Sequence, residues 1–276
     1  MKTTAFDRIL FVILLALSVV FIFPVFIVLI NSFKLKFSIA ATPFLLPNKE
    51  NFIGISNYTE GVKNTGFPSA FGWSLFITVF SVAAIIIFTS MTAWYIIRVK
   101  NRFNFIFYYA LVFSMIVPFQ MVMFTMSKTA NVLGLDNPIG IIIIYLGFGA
   151  GLSVFMFSGF VKTIPKGIEE AATIDGCNTL QVFWRVVFPV LKPTAITVAI
   201  LNTMWIWNDY LLPYLVIGND YKTIPIAIQY LKGGYGSVDM GAMMAMLVLS
   251  IIPVIIFYLL CQKYIIKGVA SGAVKG

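Results

Sequence analysis

Apolar residues in this chain neither alternate nor keep to one helical face; they come in long, nearly unbroken runs. Positions 9–33, 71–97, 103–127, 137–161 and 240–262 contain no Asp, Glu, Lys or Arg, and 193–219 is interrupted only by Asp209. Each run exceeds the ~20 residues that a helix needs to cross ~30 Å of hydrocarbon. Inside a bilayer only helices and closed barrels satisfy their own backbone, and a barrel strand would alternate apolar with polar positions. The pattern therefore predicts an all-α integral membrane protein. It has a single domain over 1–276, with spans near 9–30, 71–97, 105–127, 139–161, 194–217 and 241–263.

The connections differ in character. Lys2 and Arg8 precede the first run as in a signal peptide, but the run is longer than the usual ~7–15 residues and offers no small-residue cleavage site, so it reads as an uncleaved first helix. The stretch 31–69 is too long for a turn. With Pro43, Pro47 and Pro68 it predicts short helices and loops on the outer membrane face. No internal repeat is visible.

Composition sharpens the class. Of the 276 residues, 60% are hydrophobic and 11% charged, and mean hydropathy is +0.97. Soluble domains are nearer ~45–50% and ~25%, so disordered, disulfide-scaffold and ordinary soluble-enzyme classes are excluded. The absence of histidine removes histidine acid–base chemistry, Ser-His-Asp triads and most zinc sites. Cys177 and Cys261 are far apart and form no CxxC, which reads as two buried or interfacial thiols. No GxxxxGK[ST] phosphate loop occurs, so the chain does not itself hydrolyse ATP. No catalytic residue and no metal site is expected. The charge of +9 points to basic loops facing anionic lipid rather than to nucleic acid. With the N-terminus inside, twelve of the 19 Lys and Arg fall on the inner side and seven on the outer. Both termini are thus expected in the cytoplasm.

One inner loop, 162–192, is not a plain linker. It holds Glu169, Glu170 and Asp175. Pro165 suits a helix start, and the two glutamates follow where the helix dipole favours negative charge. Gly176 fits a C′ position with positive φ. Asn178 with Gln181 predicts a capping box for a second short helix. Its apolar stripe of Leu180, Phe183, Trp184, Val187 and Phe188 would lie against membrane or spans, and Pro189 would end it. The first helix exposes small Ala171 and Ala172 beside carboxylates. That suits a cleft on a basic soluble partner, and it also suits a solvated amphipathic loop.

Glu170-Ala171-Ala172, Asp175-Gly176 and Pro189 resemble the EAA motif of permease subunits in ATP-binding-cassette importers, closest to the maltose-type sugar group. Asn31-Ser32-Phe33-Lys34, Val117-Pro118-Phe119-Gln120, Trp207-Asn208-Asp209 and the terminal Gly272–Gly276 fit the same family, so the resemblance covers nearly the whole chain. The family has Ala or another small residue where Cys177 stands.

The resemblance implies a type I importer permease fold and a multi-pass subunit of the bacterial plasma membrane. Such a subunit carries an oligosaccharide or other sugar by alternating access and forms half of the pathway. Glu170, Ala171 and Ala172 would dock on an ATPase subunit, with Asp175-Gly176 setting the angle of that helix. Val274, Lys275 and Gly276 would reach the ATPase dimer. Implied partners are a second homologous permease, two ATPase subunits, an extracellular sugar-binding protein and membrane lipids. The chain would bind no cofactor, with ATP and Mg on the ATPases. Asn202, Trp205, Trp207, Asn208 and Asp209 combine aromatic faces with hydrogen-bonding groups. They suit a substrate pathway or a binding-protein docking site near the outer interface. The competing class is an ion-coupled secondary transporter or channel. It would call for several intramembrane acids or histidines, and Asp209 stands alone.

Overall fold

The computed structural model describes residues 5–231 and 239–273, with side chains over 6–231 and 239–264. Val274, Lys275 and Gly276 lie outside the described residues. In chain order the helices are α1 (Ala5–Asn31), α2 (Lys36–Ala41), α3 (Ser56–Thr65), α4 (Phe67–Arg98), α5 (Arg102–Ser114), α6 (Phe119–Val132) and α7 (Pro138–Val161). Then come α8 (Lys166–Ile174), α9 (Thr179–Val182), a π-helical turn (Phe183–Val187), α10 (Phe188–Asn208), α11 (Leu211–Val216), α12 (Ile224–Gln229) and α13 (Met240–Ala273). Five of these elements are long and apolar enough to cross a membrane, or six if α5 and α6 count as one broken span.

The chain forms two compact units. The first takes residues 1–68 and 227–254. Here α1 shows large apolar side chains on every side, as a helix surrounded by lipid or partner helices does. The stretch after it folds back on itself. Lys34 is fully buried, and its ammonium donates to the Thr42 carbonyl at 2.8 Å. Buried Asn57 donates to the carbonyls of Ser32 (2.9 Å) and Lys34 (2.8 Å), and Lys34 pairs as a β-bridge with Phe52. Buried backbone acceptors need partners, so these side chains replace a helix or sheet ladder. Short helices with loops between them are what the prolines and glycines of 31–69 predict.

The second unit takes residues 69–226 and 255–276. Its core stacks Ile85 of α4, Ile141 and Phe157 of α7, Phe183 and Val187 of the π turn, and Leu191 of α10, all fully buried. Small residues let the helices close up. A Cβ on Gly151 would sit 2.6 Å from the Leu111 carbonyl of α5, and one on Gly149 would sit 2.6 Å from Ile85. Close backbone approach through glycine is how helices associate where lipid is as apolar as leucine.

Two expected spans and one expected helix end take a different form. The third, expected as one helix over 105–127, bends by 109° between α5 and α6. Pro118 has no N–H and takes ψ +134, so the helix stops before it and restarts. The fifth, expected over 194–217, ends at Asn208. Asp209 is extended (ψ +125), and its carboxylate accepts from the Leu211 N–H at 3.0 Å, starting α11. Pro189, expected to end a short helix, lies within a helical run over Thr179–Asn208. The wide π turn shifts the ladder, with the Phe188 N–H donating to the Phe183 carbonyl, and so accommodates the missing proline donor.

Candidate functional site

The loop joining α7 to α10 is built from its own capping residues. Helix α8 starts after Pro165, ends at Asp175 and is terminated by Gly176 at φ +87. A Cβ on Gly176 would meet nothing within 4 Å, so the backbone conformation alone selects glycine. The capping box forms: the Gln181 N–H donates to Asn178 Oδ1, and the Asn178 N–H donates to Gln181 Oε1, both at 2.9 Å. The stripe beyond it divides. Phe183 and Val187 are buried, whereas Leu180 and Trp184 stay exposed.

The two glutamates part company. Glu169 turns back to the end of α4, where Oε1 accepts from Arg98 Nη2 at 2.6 Å and Nε at 2.9 Å. Glu169 Oε2 accepts from the Trp94 indole at 3.0 Å, and Arg98 Nη2 also donates to the Ile164 carbonyl at 3.0 Å. Fixed at that edge, α8 presents Gly167, Glu170, Ala171 and Ile174 on one exposed face, spaced as neighbouring turns of a helix. Ile174 is 86% exposed and adds an apolar side chain to this face. Ala172, expected on this face, is buried. Its position, two residues beyond Glu170, points it to the inner side of a 3.6-residue turn, where it joins the core with Val182 and Phe183. The clamp of Trp94, Arg98 and Glu169 escaped sequence reasoning because Glu169 lies 71 residues or more from its two partners. The one signal was the position of Arg98 at the end of an apolar run.

The aromatic and polar residues of the fifth span do not act as one group. Asn202 is buried under Gly149 and donates to Val198 O at 2.8 Å and Ser153 Oγ at 3.3 Å. Trp207 is 7% exposed, with its ring edge-on to Phe71. Both belong to the packing. Leu201, Met204, Trp205 and Asn208 instead form the exposed face of α10, and Trp205 is 40% exposed. Tyr145 of α7 backs this face. Its ring meets Trp205 edge-on at 5.4 Å, and its hydroxyl donates to Asp209 Oδ2 at 3.1 Å. Tyr145 is the one polar group in the aliphatic run 141–146, and that is the only mark it leaves in the sequence. Asp209 thus starts α11 and holds Tyr145, which fixes the C-terminal part of the α10 face. Among the described residues no His, Cys, Asp and Glu group could hold a metal ion.

A family model described as the inner membrane component of binding-protein-dependent transport systems matches residues 97–271, which include Arg98 and Glu169 of the clamp, α8 and the α10 face. The chain belongs to that family. Relatives match over almost their whole length. One is the "Probable starch degradation products transport system permease protein AmyC" of Thermoanaerobacterium thermosulfurigenes, 40% identical over 95% of this chain and 94% of that protein. Another is the multiple sugar-binding transport system permease protein MsmG of Streptococcus mutans, 35% identical over 96% of each. A chain in the crystal structure of a bacterial ABC transporter that imports the acidic polysaccharide alginate superimposes with a TM-score of 0.77 and 26% identity. That match covers 96% of this chain and 99% of the other. The chain is an all-α, multi-pass inner-membrane permease of the ABC importer type, as the sequence predicts.

Proposed function

We propose that this permease is one of two related membrane subunits of an ATP-driven oligosaccharide importer. It forms half of the pathway and works by alternating access. The observation that carries the coupling part is the exposed α8 face of Gly167, Glu170, Ala171 and Ile174, held to α4 through Glu169 and Arg98. Small residues at Gly167 and Ala171 allow a groove wall to come close, Ile174 supplies apolar area, and Glu170 supplies a charge for a basic partner. Two cytoplasmic ATPase subunits take up this face on the two permeases, and they hold the ATP and Mg. An extracellular binding protein delivers the sugar, and both termini of this chain lie in the cytoplasm. Trp205 and Asn208 face the pathway or the second permease, and sugars stack on such aromatic faces. The names of the relatives support a glycan substrate.

The test is the assembled importer in proteoliposomes. With Ala171→Cys and a cysteine lining the ATPase groove, a cross-link should form and abolish ATP hydrolysis stimulated by the loaded binding protein. Reduction should restore it. Absence of any cross-link from positions 167, 170, 171 and 174, with transport intact, would refute the assignment.

A further inference from the structure

At the junction of α4 and α5 lies a cavity of about 990 Å³ whose chemistry the transport reading does not use. Arg98, Lys100, Arg102, Lys162 and Lys166 line it, brought together from α4, the α4–α5 turn, the first residue of α5, the end of α7 and the first residue of α8. Glu169, the carboxylate of the neighbouring clamp, is engaged by Arg98. Among the described residues the other four cations form no salt bridge. The turn that carries them is built rather than loose. Asn101 caps α5 by accepting from the Asn104 N–H at 2.7 Å, and buried Asn104 donates to the Val99 carbonyl at 2.6 Å. The remaining walls are apolar or amphipathic: Ile97, Phe105, Ile106, Tyr108 and Tyr109.

We propose that this cavity is a binding site for one anionic phospholipid of the leaflet on the α8 side. The inference rests on the membrane orientation proposed above. Four unpaired cations grouped around a hollow attract a phosphate, and basic pockets between helices at the membrane edge take anionic headgroups. A free phosphate would leave the aromatic and isoleucine walls facing water, whereas a lipid covers them with its glycerol and upper acyl chain. Tyr108 and Tyr109 stand on the first turns of a span, at the depth where tyrosines meet headgroups. The volume suits a headgroup with the first methylenes, not an inorganic ion alone. Since Lys166 opens α8 and Arg98 holds Glu169, the lipid would tie the α4–α5 turn to the docking helix.

The test uses the complete importer purified in mild detergent from membranes containing phosphatidylglycerol and phosphatidylethanolamine. Retained lipid is counted by native mass spectrometry. The expected result is about one phosphatidylglycerol held per copy of this chain, with about fivefold weaker retention for each cation removed. Lys100→Gln and Arg102→Gln together would thus lose about 25-fold, while Lys49→Gln with Lys63→Gln, exposed on the α2–α3 stretch, would lose nothing. Lys162→Gln, on a different element, repeats the test if the double variant assembles poorly. Equal retention in wild type and variants, or equal retention of the zwitterionic lipid, would overturn the proposal. So would inorganic phosphate binding the delipidated complex as tightly as a short-chain phosphatidylglycerol, which would make this a free-anion site. A cross-link from Arg102→Cys to the second permease would overturn it by showing the cavity filled with protein. Lipid counts do not depend on transport, so failure of the sugar or ATPase assignment would appear separately in the transport assay.

Discussion

The Arg98–Glu169 clamp joins α8 to the end of α4, and its strength can be worked out. The guanidinium meets one carboxylate oxygen at 2.6 and 2.9 Å and the other at 3.1 Å, and the two side chains are 15% and 11% exposed. Opposite charges ~4 Å apart at an effective dielectric of ~20 attract by ~4 kcal/mol. Removing one partner of a buried pair costs ~3–5 kcal/mol. With some solvent reaching the pair, Glu169→Ala is expected to weaken the attachment of α8 to α4 by ~2–4 kcal/mol. Glu169→Gln, which keeps an acceptor for the Trp94 indole, should cost ~1–3 kcal/mol. Hydrogen exchange of the 164–174 amides in the assembled importer reads this directly, and ~2–4 kcal/mol appears as opening about 30- to 800-fold more frequent. A double-mutant cycle with Arg98→Gln and Glu169→Gln should give a coupling of at least ~1.5 kcal/mol. Binding-protein-stimulated ATP hydrolysis should fall in the same variants while the subunits still co-purify. A coupling below ~0.5 kcal/mol, or faster exchange with unchanged stimulation, would refute the link between clamp and coupling.

Other outcomes follow from the same geometry. At Gly176 the φ of +87 should make Gly176→Val cost ~1–2 kcal/mol or more and lower stimulated ATP hydrolysis, whereas Gly176→Asn, which tolerates that conformation better, should keep most of it. On α10 the two tryptophans should separate. Trp207→Ala should lower complex yield through a core loss of ~3–5 kcal/mol, while Trp205→Ala should leave assembly intact and reduce sugar uptake. Gly151→Leu should prevent close packing of α5 on α7, seen as loss of folded monodisperse subunit. Burial lowers the pKa of Lys34, so the folded state gives up the proton before the unfolded chain does. Stability relative to Lys34→Met should therefore rise with pH from that lowered value up to the ordinary lysine value, measured by thermal melting of the complex between pH 8 and 10.5.

Some of this is fixed locally and is legible in the sequence. Continuous apolar runs specify membrane helices because no other backbone state satisfies its hydrogen bonds in hydrocarbon. Pro165, Gly176, Asn178 and Gln181 specify their turns and caps because those interactions span at most a few residues. Other features depend on which face of a helix meets which neighbour. Glu169 and Glu170 are adjacent and chemically alike, yet one closes a clamp with Arg98 and the other stays exposed, because α4 passes on one side of α8 only. Ala171 and Ala172 divide the same way. Pro118 breaks its span and Pro189 does not, because the π turn before Pro189 shifts the hydrogen-bond ladder. Helical periodicity assigns residues to faces, but tertiary packing alone decides which face is buried. For that reason the family could be read from the sequence, whereas the clamp, the α10 face backed by Tyr145 and the basic cavity emerged only from the fold.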